Sequence, residues 1–229
     1  MKWILMEVAE CERASHSLVG LKLIPKLEGA KFVFQPGQHV KIRAPRGTEV
    51  YFAIASEPEE KRYVEFLLKD EKGTVAHELC KMKTGDSLKV SPAFGKGYPV
   101  EKYKSEDILL IGIGSGLAPL RSVLKSILRR EHQFGRVTLV YGARRREDIP
   151  YPEEFDLWAK KFDLRVALTQ PRGSEWPGFV GRVTKLLPTL TFHPQKTVAF
   201  ICGNRPMEEE VRNLLEIAGI SKDNIHTNL

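Results

Sequence analysis

The stretch Ile108–Arg130, ILLIGIGSGLAPLRSVLKSILRR, decides the architecture of this chain. Its first six residues are almost continuously apolar, as a strand buried on both faces of a parallel sheet requires. Gly114, Ser115 and Gly116 break that run. From there Leu117, Leu120, Leu124, Ile127 and Leu128 recur at the three- and four-residue steps of one helix face. Pro119 suits a first helical turn, where its missing N–H has no intrahelical partner to lose. A strand that passes through glycines into a helix leaves main chain bare enough for close approach. It also leaves free N–H groups that favour an anion such as a pyrophosphate. The pattern Gly-x-Gly-x-x-Pro departs from the dinucleotide fingerprint at its third glycine, so a tight turn without a ligand would satisfy the same residues.

Working outward from this junction, strands and helices alternate towards the C-terminus. The pattern predicts strands at 108–113, 136–142, 164–169, 197–202 and 224–228, with helices near 117–131, 152–161, 180–187 and 206–218. That is an α/β doubly wound parallel sheet, Rossmann-like in type. Upstream the character changes. Short alternating runs (SLVGLKLI, HVKIRAP, VYFAIAS, RYVEFLLKD, SLKVSP) are divided by the turns QPGQ and KTGD, with TVAHELCKM the one helix-like piece. Several short strands in about a hundred residues predict an antiparallel β-barrel, a closed form that removes exposed sheet edges. The charged segment EKYKSED links the two, which predicts domains at 1–103 and 104–229.

Composition narrows the function classes. The 229 residues, 42% of them apolar, read as a soluble globular protein, and no apolar run approaches a membrane span. The formal charge of +7 comes from cations scattered among 29 acidic residues, so solvated surface explains it better than nucleic-acid binding does. Cys11, Cys80 and Cys202 are widely spaced and odd in number, and the six histidines are dispersed. Neither a disulfide framework nor a metal site is expected, and the cytoplasm or an organelle stroma suits such cysteines.

Three further pieces follow predicted parallel strands and would converge on one crevice at their carboxyl ends. YGARRRED places Gly142 and then Arg144 where the ribose of a dinucleotide would lie. LTQPRGSEWPGFVGRV supplies a glycine- and proline-shaped loop. FICGNRPMEEEV joins Cys202 and Gly203 to a helix start that includes Met207.

With FQPGQHVKI in the barrel, then G-x-G-x-x-P, Y-G-x-R and C-G-x-x-x-M in that order, nearly the whole chain resembles the ferredoxin-NADP reductase superfamily of flavoproteins. It is most similar to the short, iron-sulfur-free FAD/NAD(P)-binding oxidoreductases that include the plant "fruit protein" group. The resemblance implies a flavin-binding barrel followed by an NAD(P)-binding sheet, and hydride transfer between nicotinamide C4 and flavin N5. FAD or FMN would be the flavin, and NADP or NAD the nucleotide. It implies that Gly114, Ser115, Gly116, Leu117 and Pro119 cradle the pyridine nucleotide with Gly142, Arg144, Gly203 and Met207, and that Cys202 is the catalytic residue beside the nicotinamide. The family's flavin motif R-x-Y-[ST] falls on Val50, Tyr51, Phe52 and Ala53, so the arginine and hydroxyl are missing. Phe52 would still offer a ring, and Ala53 and Ile54 their backbone. The second flavin motif falls on Gly73, Thr74, Val75 and Ala76, with alanine in place of the hydroxyl residue. Electrons would pass to a small acceptor or an acidic carrier. The missing motif residues keep open a second reading, a nucleotide-binding regulatory or assembly subunit.

Overall fold

The computed structural model describes residues 3–27, 29, 31–172 and 176–228. The N-terminal strands are β1 (Ile4–Arg13), β2 (Leu18–Pro25), β3 (His39–Arg43), β4 (Glu49–Ala53), β5 (Val64–Lys69) and β6 (Ser87–Val90), with helix α1 (Val75–Leu79) after β5. They form one antiparallel sheet in the order β4-β3-β6-β1-β2-β5. A bridge between Ile54 and Phe66 joins its two edges and closes the barrel. Alternation explains the interior: Met6, Val8, Val40, Ile42, Phe66, Leu68, Leu88 and Val90 point inward and are fully or almost fully buried.

The sequence pattern missed β1. A register shift between Val8 and Glu10 breaks its alternation, and such a bulge hides a strand from any period-two reading.

The second half contains β7 (Asp107–Ile113), α2 (Leu117–Leu128), β8 (Val137–Ala143), α3 (Pro152–Ala159), β9 (Asp163–Leu168), β10 (Phe179–Val180), α4 (Val183–Leu186), β11 (Thr197–Cys202), α5 (Arg205–Ile217) and β12 (Ile225–Thr227). Its sheet is parallel throughout, in the order β10-β9-β8-β7-β11-β12. The chain winds outward from β7 to β9, then returns to β11 on the far side of β7. That reversal opens a crevice at the carboxyl ends of β7 and β11, where ligands of such sheets bind. The expected helix at 180–187 is shorter, because Phe179 and Val180 pair with Ala167 and Leu168 as an edge strand.

A continuous apolar cluster joins the halves. Leu18, Ala55, Leu67 and Tyr98 of the barrel side pack with Leu110, Leu117, Val123 and Phe200 of the sheet side. Within this interface lies a buried charge network. Arg121 of α2, 3% exposed, donates to Glu65 of β5 at 2.8 Å, to the Ala55 carbonyl at 2.9 Å and to Glu154 of α3 at 2.6 and 2.7 Å.

Candidate active site

The crevice is a cavity of about 1000 Å³ at the carboxyl ends of β7, β8, β9 and β11. Gly114, at φ +53°, faces open space, and its carbonyl accepts a hydrogen bond from the buried Tyr141 hydroxyl at 3.1 Å. Gly116 presses on the loop after β11: a Cβ there would collide with the Cys202 carbonyl and come within 2.8 Å of its carbon. Only a bare backbone lets the two loops meet at this point. Asn204 caps α5 by accepting from the Met207 N–H at 3.0 Å, and Glu208 accepts from the Gly203 N–H at 2.9 Å. Burial raises the Glu208 carboxyl above its ordinary range against the opposing pull of that N–H.

The cavity wall is basic beyond the carboxyl end of β8 and before α4. Arg144, Arg145 and Arg182 line it. Arg144 donates from Nε to Gln170 Oε1 at 2.8 Å, and the Gln170 N–H donates back to the Arg144 carbonyl at 2.8 Å, so the side chain is braced at its inner nitrogen. The Thr184 hydroxyl, 4% exposed as a residue, lines the cavity and has no hydrogen-bond partner. An orphaned buried hydroxyl beside arginines, a bare glycine junction and a switch-point crevice all fit a dinucleotide.

The cavity thus brings together Gly114, Ser115, Gly116, Gly142, Arg144, Gly203 and Met207 from the sequence-predicted set. Leu117 and Pro119 lie behind it, buried in α2. Cys202 ends β11 beneath the wall, and burial pushes its thiol up to about 12, so it is a neutral group and not a thiolate. Sequence reasoning missed Arg182, Thr184 and the barrel's share of the wall, His16, Ser17 and Lys69. Ser17 and Asp148 hold the two sides together at 3.0 Å. Arg182 and Thr184 sit at the start of α4, after the loop that follows β9, whereas no local signal marks His16, Ser17 and Lys69, since only the packing of the barrel on the sheet brings them there.

The flavin candidates do not line this cavity. Phe52 is half-buried and packs against the barrel core, Ile54 is fully buried, and Ala53 packs against the interface cluster. Phe52 and Ala53 belong to β4, a strand at the end of the sheet order, and Ile54 follows it, its N–H donated to the Gln38 carbonyl at 3.0 Å and its backbone bridged to Phe66. That edge suits the amide-like rim of a flavin. Gly73 precedes α1 at φ +83°, with open space around it. Thr74 caps this short helix by accepting from the His77 N–H at 3.2 Å, and Val75 and Ala76 form its first turn. Among the described residues no cluster of histidine, cysteine or carboxylate side chains is placed to hold a metal, and no helix is long and apolar enough to cross a membrane.

Comparison with known proteins bears on both halves. Residues 5–98 match the family model of the oxidoreductase FAD-binding domain, and residues 110–213 that of the oxidoreductase NAD-binding domain. NADH-cytochrome b5 reductase 1 of Dictyostelium discoideum is 31% identical over 83% of this chain and 69% of its own. Fruit protein pKIWI502 of Actinidia deliciosa is 31% identical over 83% of this chain and 64% of its own. A ferredoxin NADP+ reductase from Neisseria gonorrhoeae, solved with bound FAD and NADP, shares the fold with a TM-score of 0.84 at 19% identity, covering 99% of this chain and 98% of that one. The chain spans between 39% and 69% of the length of the first curated relatives it matches.

Proposed function

Because the chain belongs to the ferredoxin reductase-like oxidoreductases with FAD- and NAD-binding domains, we propose that it is a flavin-dependent NAD(P)H reductase that passes electrons to a carrier or small acceptor. One observation carries the reading: the switch-point cavity takes its glycine wall from the parallel sheet and its opposite wall from the barrel, so a nucleotide bound there reaches the flavin-type half. Residues 1–103 and 104–229 form the two units. When bound, a flavin supplies an acceptor for a hydride and a store that releases two electrons one at a time.

The protein's own work is positioning. Gly114–Gly116 and Gly203 let the backbone approach the dinucleotide, and Arg144 offers its outer nitrogens to a 2′-phosphate, which favours NADPH. Neutral Cys202 sits beside the nicotinamide. Phe52 supports the flavin ring, the β4 backbone at Ala53 and Ile54 meets its rim, and Gly73, Val75 and Ala76 flank its phosphate. The acceptor side suits an acidic carrier, and three cysteines without a disulfide suit the cytoplasm or an organelle stroma.

Valine and alanines at positions 50, 53 and 76, where the flavin motifs that the sequence resembles call for an arginine and hydroxyls, favour a second reading, a nucleotide-binding subunit without turnover. Absorbance separates the two. The reductase shows an oxidised-flavin spectrum, as purified or after loading with FAD, that bleaches on adding NADPH. A colourless protein that binds NADPH and stays inert with FAD overturns the reductase reading.

A further inference from the structure

A second cavity, of about 320 Å³, opens at the amino ends of β7, β8, β9 and β11, the edge of the parallel sheet opposite the dinucleotide crevice. The two cavities share no lining residue. The seven residues of β7 run between them, roughly 20 Å at about 3.3 Å per residue. Register builds the sheet side of this cavity. Thr138 of β8 lies between Leu109 of β7 and Asp163 of β9, and two positions before Leu109 comes Asp107, paired with Thr197 of β11. These side chains therefore share one face of the sheet. The chain after α4 closes the other side. There the Thr189 hydroxyl donates to the Leu186 carbonyl at 2.7 Å and the Thr197 hydroxyl to the His193 carbonyl at 2.9 Å, so the cover is held by its own hydrogen bonds.

The lining has two parts of different chemistry. Leu109 and Leu186 are buried, and Leu190 and Phe192 pack against the same core cluster, which gives an apolar floor. Two carboxylates and two guanidinium groups complete the lining, those of Asp107, Asp163, Arg136 and Arg165. Each carboxylate has one oxygen engaged: Asp107 Oδ1 accepts from the Arg136 main-chain N–H at 2.7 Å, and Asp163 Oδ1 accepts from Arg165 Nε at 2.6 Å. Their second oxygens, the outer nitrogens of Arg165 and the whole Arg136 guanidinium have no partner among the described residues. A ligand bearing a carboxylate alone would satisfy the cations and repel the acids, and an amine alone would do the reverse. Only a small molecule with both charges and an apolar body engages the whole lining.

We propose that this second cavity binds a free apolar α-amino acid, with its carboxylate on the Arg136 and Arg165 guanidinium groups, its ammonium on Asp107 and Asp163, and its side chain on the leucines and Phe192. The site is independent of the reductase reading, because none of its residues lines the dinucleotide cavity or belongs to the barrel.

The test uses the full chain, phenylalanine as probe, and two analogues that each lack one charge, 3-phenylpropionate and phenethylamine. Calorimetric titration is expected to show one phenylalanine bound per chain, with each analogue weaker by roughly tenfold or more, the worth of a charge-assisted hydrogen bond. Arg136→Gln removes an exposed cation that holds no other side chain. It should weaken phenylalanine to a similar degree while the melting temperature without ligand and the binding of NADP+ stay as in the parent. Asp163→Asn should weaken phenylalanine as well, and saturating NADP+ should not displace it. No phenylalanine bound at millimolar concentration, an analogue that binds as tightly as phenylalanine, displacement by NADP+, or unchanged affinity in Arg136→Gln each overturns the amino-acid site.

Discussion

The Arg121 guanidinium lies 4.1 Å from the centre of the Tyr151 ring, and both side chains reach Glu65, Arg121 at 2.8 Å and the tyrosine hydroxyl at 2.9 Å. Burial opposes charge on Arg121, but its bonds to Glu154 and the field of Glu65 outweigh that and raise its pKa above the ordinary range. Tyr151 sits in the left-handed region at φ +51°, a backbone conformation that persists only where surrounding contacts insist on it. Here its N–H donates to the Ala14 carbonyl at 2.9 Å, while its ring and hydroxyl are engaged across the interface. The three residues come from β5, α2 and the turn before α3, so they fix the barrel relative to the sheet.

Arg121→Met should therefore cost about 3–5 kcal/mol, because it strands Glu65, which is 1% exposed, without its cation. Urea unfolding checks this. Adding Glu65→Gln to Arg121→Met should cost less than the sum of the two single changes. Additive losses would mean that the pair is not coupled.

Gly116→Ala should weaken nucleotide binding by an order of magnitude or more and lower stability by about 1–3 kcal/mol, since the new methyl meets the Cys202 backbone and not a flexible side chain. Thermal melts with and without NADP+ read both effects. A variant that melts with the parent and keeps its full ligand-induced shift would contradict the close contact between the two loops.

Arg144→Ala should raise KM for NADPH by roughly 10- to 100-fold, the worth of a charge-assisted bond to a phosphate, and change KM for NADH little. Gln170→Ala, which frees the bracing contact at 2.8 Å, should show a smaller effect of the same sign. Equal changes for both nucleotides would remove the 2′-phosphate assignment.

Burial pushes the Cys80 and Cys202 thiols up to about 12 and also raises Cys11. Because the thiolate is the reactive form, labelling by a disulfide reagent at pH 8 should be slow in the folded protein. It should speed up as pH climbs towards 12, and reach all three cysteines once guanidinium unfolds the chain. Rapid stoichiometric labelling of Cys202 at pH 8, located by mass spectrometry, would show the thiol to be activated.

The glycine junction between β7 and α2 was legible because its signals are local. Apolar continuity, two glycines and a helical repeat within one 23-residue stretch state which faces are buried and where the main chain is bare. The same holds for Gly142, Arg144 and Gly203, each at the carboxyl end of a strand whose pattern is plain. By contrast, β1 was lost to its bulge, and α4 was overextended because its predicted start at Val180 belongs to an edge strand and the helix begins only at Val183.

What the sequence alone determined is thus the fold class, the order of the two halves and the glycine side of the cavity, since these follow from periodicities that each segment carries by itself. Tertiary structure decided which distant residues meet. Arg121 finds Glu65 across 56 positions, and Lys69 joins a cavity built mainly from residues after position 113. Tyr51 meets His39 and Phe94 only when β3 pairs with β4 in one register and the chain after β6 brings Phe94 alongside, the rings then lying 6.1 and 5.8 Å from that of Tyr51. A one-residue slip in that pairing would turn Tyr51 into the barrel and Phe52 out of it, and strand register answers to long-range packing that no short stretch of chain encodes.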